Sequence, residues 1–526
     1  MTLKRQSTRK RRRTKSARLA RLEMRQTAVY KRPVRAGLLG GTYKPLSQSD
    51  LEKIHRTALE VLETIGIGDP TPEVVAYATE AGCWIDDNGR LCFPRTLIEE
   101  IVANAARSYT VYSRSSAHAD VHVGGYHVNY ATSGEAVTIY EPAHRRFRPS
   151  TLVDLYDCGR LVDTLHNIHQ FGQTVIPTEL TEFYEHDLNV AYALCAATEK
   201  PCEMAFTSAD NIRPAVEMFD MVLGGEGRFA KRPFLSFGGC PIVSPLRFGE
   251  DNLDVLVETS KLGLINDIAI APQAGATAPA ALAGALAQVT AEGLACLAIV
   301  NIINPGCPMT FAIWPFISDL RTGAFSGGSG EEALVMAACA QIGRFYDLPT
   351  SVAASMTDAK LPDAQAGFEK GITAVTAGLA GANRILESAG MLGSLMGCSF
   401  EALVIDNDML GMAQRVVAGL EVNDETLSLD VMREVALGAG HYLGQPQTLA
   451  RMETDYLYPD IADRSAPGIW EAEGSHDVMS RAEEQVKTVL STHYPDHLDA
   501  KVDAAIRAKF PILLAEKDMK ARNGRW

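Results

Sequence analysis

Residues 349–390 read PTSVAASMTDAKLPDAQAGFEKGITAVTAGLAGANRILESAG, and the way this stretch divides decides the fold. PTSVAAS (349–355) is a short apolar run of strand length. MTDAKLPD breaks it with a Pro and three charges, and Asp363 is placed to cap a helix. AQAGFEKGITAVTAGLAGA is that helix, and NRILESAG (383–390) is a second apolar run. Strand, loop, helix, strand is one βαβ unit, which demands a parallel pair of strands.

The unit repeats. Apolar runs recur at 167–176 (NIHQFGQTVI), 202–208 (CEMAFTS), 233–242 (PFLSFGGCPI), 267–273 (DIAIAPQ) and 308–314 (PMTFAIW), with helix-like segments between them. Seven runs and no dinucleotide fingerprint predict a closed (β/α)8 TIM barrel of the α/β class in preference to an open doubly wound sheet. The eighth strand is not located; EAVTIYE (135–141) and the region after 400 are its candidates. The organisation expected is a basic disordered arm over 1–36, N-terminal helices and a β-hairpin region over 37–150, the barrel over 151–410 and a C-terminal helical extension over 411–526. PLSQSDLEKIHRTALEVLETIGI (45–67) predicts an amphipathic helix capped at Ser47 or Ser49. HADVHVGGYHVNY (118–130) predicts a hairpin turning at Gly124-Gly125. That register puts His118, Asp120, His122 and His127 on one face, a polar hairpin surface or a metal site.

Composition bounds the partners. The chain has 526 residues, 46% of them hydrophobic and 22% charged, as in an ordinary globular protein. Ten Cys without a CxxC pair, and no signal-peptide pattern, predict a cytoplasmic protein with free thiols. The longest apolar segment, 278–303, is interrupted by Gln288 and Glu292, so no membrane span is expected. Residues 1–35 hold 14 Lys and Arg against Glu23 alone, a charge of +13 that leaves −27 on the rest of a chain whose total is −14. The arm reads as a solvated tail, with nucleic acid, anionic lipid or an acidic partner as the alternative. The acidic body argues against nucleic acid as the main ligand.

If 349–355 is a barrel strand, the loop after it lies on the C-terminal face, where barrel enzymes hold their active sites. Asp358 and Lys360 are then candidates for chemistry, or an ion pair in a solvated loop. Zinc on Cys202, Cys240 and Cys307 is weighed against ordinary buried thiols.

Four phrases carry a resemblance: GGTYKPLSQSDLEKIHRTALEVLETIGI (40–67), NPGCPMTFAIWPFISDLRTG (304–323), DAKLPDAQAGFEKGITAVTAGLAGAN (358–383) and SAGMLGSLMGCSFEALVIDNDML (388–410). With them the chain, from about 37 to near 490, resembles the trimethylamine methyltransferase family of corrinoid-dependent methylamine methyltransferases. The resemblance implies a TIM barrel that passes a methyl group to the cob(I)alamin of a separate corrinoid-binding protein, with no tightly bound cofactor of its own. Members acting on trimethylamine carry pyrrolysine in the loop that matches TDAKLPD, where this chain has Lys360. It therefore looks like the non-pyrrolysine branch, whose characterised members demethylate quaternary amines such as glycine betaine. A binding or regulatory barrel without transfer activity, trimethylamine-type transfer and zinc-dependent transfer are the alternatives. A homo-oligomer is possible for such a chain.

A quaternary ammonium has no N–H to donate, so aromatic faces suit it. Phe171, Phe206, Phe237, Phe311, Trp314 and Phe316 lie near strand ends and are the cage candidates, Trp314 foremost. Asp358 or Glu387 is expected to complement the cation. Arg321, Gln170, Gln173 and His169 are expected to meet the carboxylate of a betaine.

Overall fold

The computed structural model describes residues 44–526; the basic arm expected over 1–36 lies outside the described residues. Eight helices alternate with eight parallel strands. The strands are β1 (Asn129–Tyr130), β2 (Phe171–Gly172), β3 (Cys202–Ala205), β4 (Leu235–Gly239), β5 (Asn266–Ile268), β6 (Phe311–Ala312), β7 (Thr350–Ala353) and β8 (Arg384–Leu386). The helices are α1 (Leu152–Asp163), α2 (Phe183–Ala197), α3 (Ile212–Val222), α4 (Glu250–Lys261), α5 (Leu282–Ile303), α6 (Gly330–Phe345), α7 (Ala364–Ala380) and α8 (Phe400–Ala418).

The register closes the cylinder. β2, β3, β4 and β5 pair in parallel in that order, and β6, β7, β8 and β1 do the same. Parallel bridges Asn266–Met309 and Ile270–Ile313 join β5 to β6, and Ala131–Gln170 joins β1 to β2. An ion pair spans the interior. Arg384 on β8 meets Asp267 on β5, and strands that are not neighbours in the ring reach each other only through the lumen.

The seven strands expected from sequence are β2 to β8. The eighth is Asn129–Tyr130, so neither 135–141 nor the region after 400 supplies it. Residues 138–141 instead form an antiparallel hairpin with Arg146–Pro149. The hairpin expected across Gly124-Gly125 is also replaced. Val121–Gly124 pairs backwards with Ser108–Val111, and Asn129–Tyr130 is drawn into the barrel beside β8. Parallel pairing buries Tyr130 completely, which a two-stranded surface ribbon cannot do. Only two of the four polar residues of that segment come together. The His122 and His127 rings meet edge to face at 4.8 Å, His118 Nε2 bonds Asp163 at 3.1 Å, and Asp120 accepts from the Ser113 amide at 2.8 Å.

The amphipathic helix expected near the start runs over Gln48–Thr64 with Ser47 as its cap, and Asp50 bonds back to the Ser47 amide. This capping box contributes about 1 kcal/mol. The stripe Leu51, Ile54, Ala58, Leu59 and Leu62 packs on α5. α5 is long and apolar enough to cross a membrane, but 83% of its most apolar window is buried inside the protein. It is the core helix of the barrel wall. After α8 the chain continues in short helices. Val478–Thr492 packs on α1 and α8, and Trp526 Nε1 donates to Asp157 Oδ2 at 2.7 Å.

Candidate active site

At the C-terminal mouth of the barrel lies a cavity of about 490 Å3. The strand ends line it: Ser133, Gly134 and Glu135 after β1, Gln173 after β2, Glu203 and Phe206 at β3, Cys240 after β4, Asp267 on β5, Trp314 after β6 and Glu387 after β8. The β2–α2 loop and the start of α2 add Ile176, Leu180, Phe183 and His186 as one wall.

Its floor is a polar layer inside the barrel. The fully buried Arg384 guanidinium pairs with Asp267, and its Nε donates to Gln170 Oε1 at 3.0 Å. Asp267 also accepts from Ser236 Oγ at 2.9 Å, and Gln170 Nε2 donates to the Cys202 carbonyl at 2.9 Å. Above this layer the Glu203 carboxylate accepts from Ser133 Oγ at 3.3 Å. Two glycines make its room. A Cβ on Gly172 would stand 2.6 Å from Glu203 Oε2, and one on Gly238 would stand 2.5 Å from Oε1.

Three glutamates thus share one small volume with a single Arg that is already paired. Burial raises the Glu387 carboxyl to about 8, and the charges of Glu135 and Glu203 add to the rise. Glu135 is pushed up to about 7, again by burial first and Glu203 second, against a backbone hydrogen bond at Ala205. Glu203 is raised by burial, with Arg384 pulling the other way. Glu135 and Glu387 both hold left-handed backbone, at φ +47° and +62°. Such conformations cost roughly 1–3 kcal/mol each in a non-glycine residue and concentrate at functional sites. Here they aim both carboxyls into the mouth.

Of the six aromatic candidates, Trp314 and Phe206 line the cavity. The Trp314 indole is held by Nε1 donating to the Ser351 carbonyl at 3.0 Å. Phe237 stacks behind Phe206, with ring centroids 5.2 Å apart, and continues into a cluster with Phe219 and Phe229. Phe311 packs edge-on to Tyr346, and Phe171 lies against Gly159 of α1. Both face the helix layer. Phe316 packs at a tilt on Phe325 in the hairpin Phe316–Asp319/Ala324–Ser326, outside the cavity.

Among the polar candidates, Glu387 and Gln173 line the cavity. Gln170 lies beneath it. His169 is enclosed elsewhere, accepting at Nδ1 from the Tyr130 amide and bonding Gln414 through Nε2. Asp358 and Lys360 sit in a neighbouring, wider groove. Asp358 accepts from Ser326 Oγ at 2.6 Å, Ser394 Oγ at 2.7 Å and the Gly327 amide at 2.8 Å, so it ties three loops together. Lys360 Nζ donates to the Asp358 carbonyl and is otherwise exposed. Arg321 forks onto Asp319 through two bonds of 2.9 Å, with 76% of its side chain exposed. Among the described residues, no group of three or more His, Cys, Asp or Glu side chains is arranged to hold a metal ion.

Glu135, Glu203, Asp267 and His186 are cavity residues that pattern reading passed over. A signal existed for two of them. Glu203 and Asp267 are charges inside otherwise apolar strand runs, CEMA and NDIAIA, and a barrel strand tolerates that only toward a polar lumen.

The family model for trimethylamine methyltransferase (MTTB) matches residues 6–511. This chain belongs to the trimethylamine methyltransferase family. Relatives within it include a glycine betaine methyltransferase of Desulfitobacterium hafniense (strain Y51), 29% identical over 473 residues, or 90% of this chain and 97% of that one. A trimethylamine methyltransferase MttB of Desulfitobacterium hafniense (strain DSM 10664 / DCB-2) is 29% identical over 493 residues, 93% of this chain and 97% of that protein. The MttB of Methanosarcina thermophila is 30% identical over 461 residues, 87% and 94% of the two chains. The barrel described above is therefore that of a trimethylamine methyltransferase family member, with its cavity at the mouth where such a barrel does chemistry.

Proposed function

We propose that this methyltransferase removes a methyl group from a quaternary amine and passes it to the cobalt of a corrinoid carried by a second protein. The observation that carries the reading is the charge of the cavity: three glutamates around a space faced by Trp314 and Phe206, with no lysine or arginine in its lining among the described residues. A permanent cation is the ligand that such a site lacks. The names of the relatives support the same class of substrate.

The chemistry needs little more than position. The C–N bond breaks, its electron pair stays on nitrogen, and a neutral tertiary amine leaves without help from an acid. Trp314 and Phe206 present their faces to the methyl-bearing nitrogen, and Glu135, Glu203 and Glu387 fix it by charge. The methyl group to be moved points out of the mouth, so the corrinoid partner docks over that face. A reducing, cytoplasmic setting suits the ten cysteines, none of which is disulfide-bonded.

The direct assay mixes the purified chain, chemically reduced cobalamin and a panel of quaternary amines, and follows methylcobalamin by absorbance. Enzyme-dependent methylation is expected from at least one of them; none from any would overturn the reading. Trp314→Ala is expected to weaken amine binding roughly 2- to 30-fold, the worth of one cation–π contact. Unchanged affinity by calorimetry would remove Trp314 from the cage.

A further inference from the structure

We infer that the cavity selects a quaternary amine whose remaining arm ends in a hydroxyl, and rejects a betaine whose carboxylate lies one to three methylene carbons from the nitrogen. This rests on the quaternary-amine reading above and narrows it.

The first observation is what faces the ligand. Glu135, Glu203, Asp267 and Glu387 are in the lining, and among the described residues no lysine or arginine is. The nearest guanidinium, Arg384, is fully buried below the surface of the cavity and shared between Asp267 and Gln170. Arg321 is outside the cavity and forked onto Asp319. His186 is the one basic ring in the lining, and its Nδ1 is engaged with Asp187 at 3.1 Å. A substrate carboxylate a few ångströms from the nitrogen would enter among these acids with no lysine or arginine of the described residues to meet it, and like charges in a desolvated site repel strongly.

A second observation is independent of net charge. Glu387 Oε2 and Gln173 Oε1 are buried atoms of the cavity wall with no hydrogen-bond partner among the described residues. The side chains that carry them are 5% and 2% exposed. Both atoms are acceptors once Glu387 is ionised beside a cation, so the missing partner is a donor. A carboxylate arm is an acceptor and leaves both unsatisfied. A hydroxyl arm donates to Gln173 Oε1 while the ammonium offsets the charge of Glu387.

The probes are choline, tetramethylammonium, glycine betaine and γ-butyrobetaine, tested on the full chain by titration calorimetry at pH 8.5 and by methyl transfer to reduced cobalamin. Choline is expected to bind at least ten-fold tighter than glycine betaine, and tighter than tetramethylammonium. Glycine betaine or γ-butyrobetaine matching or exceeding choline would overturn this inference while leaving methyl transfer from quaternary amines standing. Tetramethylammonium equal to choline would overturn the hydroxyl arm. Failure of all four to bind or react would take down the inference and the reading beneath it together.

Discussion

Replacing Arg384 with Met is expected to cost about 3–5 kcal/mol of folding stability, the usual loss when one partner of a buried ion pair is removed. The pair cannot be compensated locally. Arg384 and Asp267 are both fully sealed from solvent, and Arg384 is also the cation that restrains the rise of Glu203. Without it two carboxyls on β3 and β5 share a desolvated lumen, and they must either repel or take up protons. The thermal midpoint, compared at one scan rate, should fall by several degrees. Arg384→Met combined with Asp267→Asn should recover much of the loss, because one of the two orphaned carboxyls, the one paired directly with Arg384, is then gone. A single variant as stable as the parent would mean that the floor of the cavity is not held by this pair.

Glu387→Gln has the second large effect, on the substrate. At an effective dielectric near 20, a carboxylate roughly 5–8 Å from an ammonium contributes about 2–3 kcal/mol, ~30-fold or more in affinity. That difference should be full at pH 9 and small at pH 6. The sign follows from the carboxyl being raised to about 8. Below that value it is neutral in the empty site and contributes no charge, so cation affinity rises with pH through 7–8 and then levels. The variant should lose the upper step of that rise. By the same linkage a raised carboxyl stabilises the empty fold at low pH, and that contribution is lost as pH climbs through the folded value; a bound cation reverses the trend.

Kinetics should split in a telling way. The positive charge on nitrogen fades as the C–N bond breaks, so Glu387 holds the ground state more firmly than the transition state. Glu387→Gln is therefore expected to raise KM while leaving kcat unchanged or higher. A fall in kcat at constant KM would instead make Glu387 a participant in the chemical step.

Much of this architecture was legible in one dimension. Apolar runs at regular spacing announced seven of the eight barrel strands, because a parallel strand covered on both faces needs a continuous apolar core segment. β1 escaped because Asn129–Tyr130 is two residues long and follows a Gly-Gly pair that reads as a hairpin turn. Its partner is β8, more than 250 residues away, and no local pattern encodes that pairing.

The site was legible in kind and not in detail. Trp314, Phe206, Gln173 and Glu387 could be nominated from strand ends, since barrel mouths collect functional residues. Which rings face inward could not, because a twist of one position turns a side chain from the lumen to the helix layer. Phe237 and Phe206 show it: stacked on each other, one lines the cavity and the other fills the wall. The sequence alone established a repeating βα chain of the methyltransferase type with an acidic body. The folded chain alone decided that three glutamates far apart in the sequence, two of them on left-handed backbone, would converge on one cavity. Distances between such residues depend on ring closure and strand tilt, which are properties of the whole barrel and of no segment within it.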